Sequence, residues 1–277
     1  MSRPLPLALV QAPTRTFDEY AAEVRQLGQD RPHVRLVVHP ELHLCERMED
    51  AEPLDGPRDR ALAQLAGDLG LWLAPGSVYE RGDDGEIYNT AVVYSPEGRR
   101  VASYRKIFPW RPYEKTKPGD RFVVFEMPGY GRIGLSICYD AWFPESTRHL
   151  AWMGAELVLN FVQTPTVDRT QELVLARANA IVNQVFVASL NAAAPHGVGR
   201  SLLVDPEGNV RAEAAGAEAT VLTDVVDLAA VETVRQYGTA GLNRPWAQWS
   251  PDEKPLELPL YSGVLDPARW APEDRSL

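Results

Sequence analysis

Cysteine is scarce in this chain: its 277 residues include only Cys45 and Cys138. Two thiols cannot build a disulfide framework, and neither stands in a Cys-x-x-Cys pair of the kind used for redox exchange or structural zinc. A reducing compartment, the cytoplasm, is therefore the expected setting. Long apolar runs are also missing. The opening segment from Met1 to Val10 is broken by Pro4 and Pro6. It lacks the apolar core and cleavage site of a secretory leader, and no later run approaches the roughly 20 residues of a membrane-spanning helix. Positive charge is short as well, since 28 Lys and Arg against 38 Asp and Glu leave a net charge of −10. That balance argues against a general nucleic-acid or anionic-membrane surface. The expected partners are small molecules or cationic species, with no nucleic acid and no membrane.

What is present is a chain that is 45% hydrophobic, enough to bury a substantial core as one large domain or two small ones. Short β-type runs at 5–10, 34–39, 71–79 and 87–94 alternate with helical patterns at 17–28 and 57–69. Pro57 suits the first turn of the second helix and Gly70 its end. After a polar, Pro-rich stretch at 108–120, strands flank Gly129-Tyr130-Gly131. The pattern then resumes with a helix at 144–153, a strand at 157–161, a helix at 170–183 carrying Leu173, Ala176 and Ala180 on one face, and a strand at 185–191. Both halves contain an apolar strand followed by Pro-Glu-Gly, at 96–98 and 206–208, which predicts one hairpin in each. Hairpins imply antiparallel pairs, so the fold class expected is α/β with two sheets packed face to face and helices outside, a four-layer α-β-β-α sandwich. Residues 238–277 read as an extended C-terminal tail. Its Trp246, Trp249 and Trp270 require burial, either on the chain itself or at a subunit interface.

The chemistry-bearing residues fall in three segments. Cys138 ends the apolar run Arg132-Ile-Gly-Leu-Ser-Ile-Cys138 and precedes Tyr139-Asp140, which reads as the opening of a helix. A thiol at such a turn is placed to act as a nucleophile, although a buried structural cysteine gives the same local pattern. Within His39-Pro-Glu41-Leu-His43-Leu-Cys45, four possible ligands alternate. Pro40 and the lack of a second ligand cluster set the metal reading aside, so no metal is expected. Glu41 is the member singled out, as a carboxylate at a strand end on the same sheet edge as Cys138. Lys106 follows a strand and precedes the aromatic loop Ile107-Phe-Pro-Trp110-Arg-Pro-Tyr113-Glu114, where an enclosed ammonium could stabilise an oxyanion or thiolate.

Together these segments resemble the nitrilase superfamily of carbon–nitrogen hydrolases, whose members carry a Glu-Lys-Cys triad in that chain order. Pro40-Glu41-Leu42 looks like the glutamate motif, Tyr104-Arg105-Lys106 like the lysine motif, and Ser136-Ile-Cys138-Tyr-Asp140 with Phe143-Pro144-Glu145 like the cysteine motif. Further support comes from Ala176-Arg-Ala178-Asn-Ala180, Asn183-Gln184 and Gly199-Arg-Ser201. The resemblance runs from about Leu5 to about Leu228. It implies a single carbon–nitrogen hydrolase domain over 1–277, paired into a homodimer or higher homo-oligomer. It also implies a cofactor-free reaction: Glu41 takes the proton of Cys138, the sulfur attacks an amide carbonyl, and Lys106 with the backbone N–H of Tyr139 holds the oxyanion. A thioester is then hydrolysed. Glu114 matches the second glutamate of the amidase-like branches.

Departures from the family pattern bear on substrate. Phe108 stands where many members have His, and Val182 where many have Glu. The run Pro109 to Glu114 is similar to the loop of aliphatic amidases and formamidases. Trp142 occupies a place where several amidases acting on dicarboxylate half-amides carry Arg. The expected activity is therefore release of ammonia from a small aliphatic or apolar primary amide, with an N-carbamoyl-amine (ureido) hydrolase as the alternative. A nitrilase ranks lower, and retention of all three triad residues argues against a non-catalytic binding protein. Trp110, Tyr113, Trp142 and Phe161 are the expected pocket walls.

Overall fold

The structure, a computed structural model, describes residues 1–44, 47–265 and 269. The first half opens with β1 (Pro4–Gln11), α1 (Phe17–Asp30), β2 (Leu36–Val38), α2 (Pro57–Leu69) and β3 (Trp72–Ala74). The three strands run parallel across the two helices. Each helix boundary has a local cause. Thr16 and Glu19 form a reciprocal capping box at the start of α1. Pro57 opens α2, and Gly70 ends it in the left-handed region at φ 61°, where glycine pays no Cβ penalty. Three antiparallel strands complete the half: β4 (Ser77–Arg81), β5 (Ile87–Ser95) and β6 (Arg99–Arg105).

The second half repeats this grammar. After β7 (Val124–Met127), the strands β8 (Gly131–Ile137), β9 (Leu157–Val162) and β10 (Phe186–Asn191) run parallel across α3 (Pro144–Trp152) and α4 (Arg169–Asn183). The hairpin strands β11 (Leu202–Val204) and β12 (Val210–Glu213) follow. Both expected hairpins are present, with Gly98 N–H donating to the Ser95 carbonyl and Gly208 N–H to that of Asp205. The chain then returns to the first sheet as β13 (Thr220–Asp227), paired antiparallel with the whole of β1. The sheet orders are β13-β1-β2-β3-β5-β4, with β6 also on β5, and β12-β11-β10-β9-β8-β7. A last helix, α5 (Ala229–Tyr237), precedes the tail and its small hairpin, β14 (Leu256–Leu258) and β15 (Gly263–Leu265).

Period-two alternation along the strands builds the four layers. Leu5, Leu7 and Leu9 of β1 and Leu36 and Val38 of β2 meet Ile133, Leu135 and Ile137 of β8 and Leu157, Leu159 and Phe161 of β9 in the inter-sheet core. The intervening Ala8, Val10 and Val37 face the opposite way, onto Tyr20, Val24 and Leu27 of α1 and Leu62 and Leu65 of α2. On the far side Val158, Val187 and Val204 meet Leu150 of α3 and Leu173, Ala176 and Ala180 of α4. The α-β-β-α sandwich follows directly, because strands covered on both faces read as nearly continuous apolar runs. Trp246 is buried in this third cluster, its Nε1 donating to the Asn183 carbonyl at 3.1 Å. Packing on the chain itself thus covers that tail residue. Trp249 is half-buried, and Trp270 lies outside the described residues. Among the described residues no helix is long and apolar enough to cross a membrane.

Three boundaries differ from expectation. The run 71–79 is two strands, because Pro75-Gly76 turns the chain between β3 and β4. The run 34–39 supplies a strand only at Leu36–Val38. Directly after β8 stands a 3₁₀ turn, Cys138–Trp142, with α3 starting only at Pro144.

The Gly76 turn also supports the segment that carries Glu41. Its φ is +86°, and an added Cβ would lie 1.7 Å from the Pro40 carbonyl oxygen. Gly76→Ala is expected to cost at least about 2 kcal/mol in urea unfolding, combining left-handed strain with displacement of the Pro40 backbone.

Candidate active site

Four strand ends converge on one site. Glu41 follows β2 and Lys106 follows β6 in the first sheet, whereas Cys138 follows β8 and Thr164 follows β9 in the second. Glu41 and Cys138 therefore do not share one sheet edge, as the sequence suggested. They belong to facing sheets and approach from the carboxyl ends of the strands, where ligand crevices of α/β proteins form.

Lys106 is 2% exposed, and its Nζ donates to Glu41 Oε1 at 3.0 Å and to Glu114 Oε2 at 2.7 Å. Asn89 of β5 bridges the same two carboxylates, its Nδ2 donating to Glu41 Oε1 at 2.8 Å and Glu114 Oε1 at 3.0 Å. The second oxygen of Glu41 accepts from the Gln163 backbone N–H at 2.9 Å. Glu114 is fixed further by the Trp110 N–H and the Thr116 hydroxyl, at 2.9 and 3.1 Å. Every oxygen of the carboxylate pair is thereby held, as burial requires.

Cys138 sits at φ +46°, a left-handed conformation that costs about 1–3 kcal/mol in a residue other than glycine and survives only where its surroundings impose it. Asp140 imposes it. One Asp140 oxygen accepts from the Tyr104 hydroxyl at 2.7 Å and the Ile137 N–H at 2.8 Å, and the other from the Phe108 N–H at 2.9 Å. The turn bearing the thiol is thus stitched to the strand and loop on either side of Lys106. Tyr139 occupies the first turn of the 3₁₀ helix, where backbone N–H groups lack intrahelical acceptors.

Behind the thiol lies a second polar chain. Cys138 Sγ is 3.8 Å from Thr164 Oγ1, which donates to Glu172 Oε1 at 2.7 Å. Glu172 pairs with Arg169 Nη1 at 2.9 Å, and Arg169, 1% exposed, also donates to the Ser189 and Arg200 carbonyls.

Burial dominates the proton affinities. It raises the Glu41 carboxyl above its ordinary value, with Glu114 adding to the shift and Lys106 opposing it. The Cys138 thiol is pushed well up, first by burial and then by the Glu41 charge, against the pull of Lys106. For Lys106 burial works toward the neutral form, but Glu41, Cys138 and Glu114 overcome it and hold the ammonium charged. Burial would raise Glu114 too, yet the Lys106 charge and the hydrogen bonds from Lys106, Asn89 and Trp110 keep it low. The resting site is a neutral thiol beside a carboxylate of raised basicity and a permanently charged ammonium.

Glu41, Lys106, Glu114 and Cys138 are thus brought together. Trp110 and Tyr113 meet at a tilt in the Glu114 loop, with ring centroids 4.7 Å apart, and are exposed. Half-buried Trp142 leans on Tyr139, which also meets the Phe108–Phe143 stack. Phe161 departs from expectation: it is 0% exposed in the inter-sheet core, because odd-numbered positions of β9 point between the sheets, and it does not form a pocket wall. His39 and His43 do not join Glu41 either. The strand ends before them, and their rings pack against each other at a tilt, with Tyr20 against His39. Cys45 lies outside the described residues. Asn89, Gln163, Thr164, Glu172 and Arg169 were missed by sequence reading. The available signal was modest: a lone Asn inside the apolar strand Ile87–Ser95 and an Arg-x-x-Glu spacing opening α4.

Comparison with known proteins places this geometry in context. A family model described as carbon-nitrogen hydrolase matches residues 6–236. Omega-amidase NIT2 of Xenopus tropicalis is 33% identical over 223 residues, covering 74% of this chain and 79% of that protein. Saccharomyces cerevisiae Nit3, a member of branch 10 of the nitrilase superfamily, superposes with a TM-score of 0.76 at 26% identity, over 84% of this chain and 94% of its own. An amidase from Nesterenkonia sp. AN1, solved as a mutant with the acetamide moiety of fluoroacetamide covalently added at its active-site cysteine, superposes with a TM-score of 0.71. It is 25% identical, over 85% and 95% of the two chains.

The electrostatic ordering is measurable without any substrate. The rate of Cys138 alkylation by iodoacetamide against pH should give a midpoint above the ordinary thiol value of 9.0. Glu41→Gln removes a charge that raises the thiol and should lower the midpoint, whereas Lys106→Met should raise it. Unmoved midpoints in both variants would separate Cys138 electrostatically from the pair.

Proposed function

Because the chain belongs to the carbon–nitrogen hydrolase family and is of the amidase type, we propose that it hydrolyses a small aliphatic or apolar primary amide to a carboxylic acid and ammonia through a thioester on Cys138. The observation that carries this reading is the buried Lys106 ammonium, bonded to both Glu41 and Glu114 beside the Cys138 thiol. Glu41 accepts the thiol proton as the sulfur attacks the amide carbonyl carbon. Lys106 Nζ and the Tyr139 N–H receive the oxyanion, a type of stabilisation whose removal typically costs about 2.7–4 kcal/mol. Collapse of the intermediate breaks the C–N bond, and Glu41 passes its proton to nitrogen, which leaves as ammonia. Water, deprotonated by Glu41, then attacks the thioester; the acid departs and the proton returns to sulfur. Glu114 and Asn89 hold Glu41 and Lys106 in position throughout.

The substrate class is supported by the aromatic surroundings of the nucleophile, Phe108, Tyr139, Trp142 and Phe143. Arg111, the guanidinium of the Glu114 loop, donates to the Glu114 and Thr116 carbonyls, and the turn that Cys138 opens ends on Trp142 rather than on a cation. The name of the frog relative favours a second reading, an amide at the far end of a chain with another polar group, and the N-carbamoyl amine remains a third substrate class for assay. The same reading takes the chain as one domain with residues 238–277 as its tail. Exposed Val174, Ile181 and Val182 on α4 support assembly into a homo-oligomer.

Purified protein assayed for ammonia should turn over small aliphatic amides such as butyramide faster than ω-amides of dicarboxylic acids, N-carbamoyl amines or nitriles. Cys138→Ala should reduce the rate at least 10³-fold, and hydroxylamine should trap the acyl group; unchanged ammonia release by that variant would overturn the reading. The pH dependence is a further check. The base must be ionised and its carboxyl is raised above 4.5, so kcat/KM should be lost as pH falls through a midpoint above 4.5. Glu114 contributes to that rise, so Glu114→Gln should move the acid limb to lower pH.

A further inference from the structure

On the opposite side of the Glu41 turn lies a second cluster that the reaction does not use. His39 and His43 are 0% and 1% exposed, with ring centroids 4.6 Å apart and planes inclined by 35°. Tyr20 of α1 makes an edge-type contact with both rings, at 4.8 and 5.8 Å. Glu23, one turn further along α1, brings a carboxylate to the same place. One ligand atom from each of Glu23, His39 and His43 can be chosen so that all lie within 4.8 Å of one another.

What distinguishes this cluster is its unmet polarity. All four ring nitrogens of His39 and His43, and the Tyr20 hydroxyl, are buried without a hydrogen-bond partner among the described residues. Leaving such groups unpaired costs about 1–3 kcal/mol each, so an arrangement of this kind calls for a ligand that engages one nitrogen of each ring. Burial keeps both imidazoles neutral, with His43 pulled down to about 3, and a neutral imidazole presents the lone pair a cation needs. Glu23 supplies negative charge and, at 27% side-chain exposure, a route from solvent. Arg15 Nε stands 3.6 Å from Glu23 Oε2; a carboxylate has two oxygens and can keep that contact with one while ligating with the other.

We propose that Glu23, His39 and His43 form a divalent-cation site of the zinc type, distinct from the Glu41–Lys106–Cys138 site. Two imidazoles and a carboxylate are a recognised zinc donor set, and ligand distances of about 2.1 Å ask for donor atoms roughly 3.4 Å apart. The three side chains would therefore close by about 1.4 Å at most, within the reach of small rotamer adjustments. The fourth position falls to water or to the Tyr20 hydroxyl. His39 and His43 flank Pro40-Glu41-Leu42 in sequence, so a cation here fastens both ends of the turn that carries Glu41 to α1.

The test uses full-length Cys138→Ser protein, which removes the active-site thiol as a competing ligand, stripped with chelator and titrated with Zn2+ by calorimetry. Binding of one Zn2+ per chain with a higher melting temperature, and visible d–d absorption of a tetrahedral site with Co2+, are expected. Glu23→Gln, a half-exposed helix position chosen because it leaves the core intact, and His43→Gln should each weaken Zn2+ binding at least tenfold. No Zn2+ bound by the Cys138→Ser protein, or affinity unchanged in Glu23→Gln and His43→Gln, would overturn the assignment.

Discussion

The arrangement around the candidate active site depends on one buried charge. An ammonium taken out of water loses several kcal/mol of solvation, and only close, well-oriented carboxylates offset that loss. Lys106 meets this condition with Glu41 at 3.0 Å and Glu114 at 2.7 Å. Two carboxylates around one ammonium leave an excess negative charge, and Asn89, Gln163, Trp110 and Thr116 accommodate it by donating to the remaining lone pairs. The consequence is rigidity: none of these groups can move without uncovering a charge in a medium that penalises it.

That rigidity has to be shared between two sheets, because Lys106 and Glu41 belong to one and Cys138 to the other. Apolar packing between sheets fixes their separation but specifies lateral position weakly. Directional bonds supply the rest. Asp140 ties the Cys138 turn to Tyr104 and Phe108 on either side of Lys106, and Glu41 reaches across to the Gln163 N–H at the end of β9. Gln11 of the first sheet likewise accepts from Ser201, the residue that leads into β11 of the second. The left-handed backbone at Cys138 is held within this lattice of bonds, away from the conformation a free chain would adopt.

Much of this was legible in the sequence, for reasons that differ from residue to residue. Alternation reports burial on both sheet faces, so the layers and hairpins could be read, and Pro57 and Gly70 marked the ends of α2 because backbone chemistry is local. Glu41, Lys106, Glu114 and Cys138 were legible through their motifs. Asn89 and the Thr164–Glu172–Arg169 chain were not, because a side chain that acts by bridging two distant segments leaves no periodic signal in its own. Phe161 was misjudged for a related reason: whether a β9 aromatic faces a pocket or the inter-sheet core depends on strand register, which the local sequence does not carry. The histidines failed the alternating-face reading because the chain leaves the strand at Val38, so that His39 and Glu41 end on opposite sides of the turn.

The raised proton affinities of Glu41 and Cys138 look at first like a handicap, since a neutral thiol is a poor nucleophile. In the proposed reaction they are matched. Before attack the four reacting and positioning groups, Glu41, Glu114, Lys106 and the Cys138 thiol, carry a net charge of −1. In the tetrahedral intermediate Glu41 is protonated and the negative charge has moved to the substrate oxygen near Lys106, and the net charge is still −1. Burial that raises the acid and the base together leaves the difference between them nearly unchanged, while the same low-dielectric surroundings strengthen the attraction between Lys106 and the new oxyanion. A standing thiolate would have required the site to stabilise a third anion before substrate arrived. Moving one charge over a short distance within a fixed set of donors asks for far less rearrangement, and it explains why Lys106 has to be locked in place by Glu114 and not by Glu41 alone. When Glu41 is neutralised, Glu114 is the partner that keeps the ammonium charged and aimed.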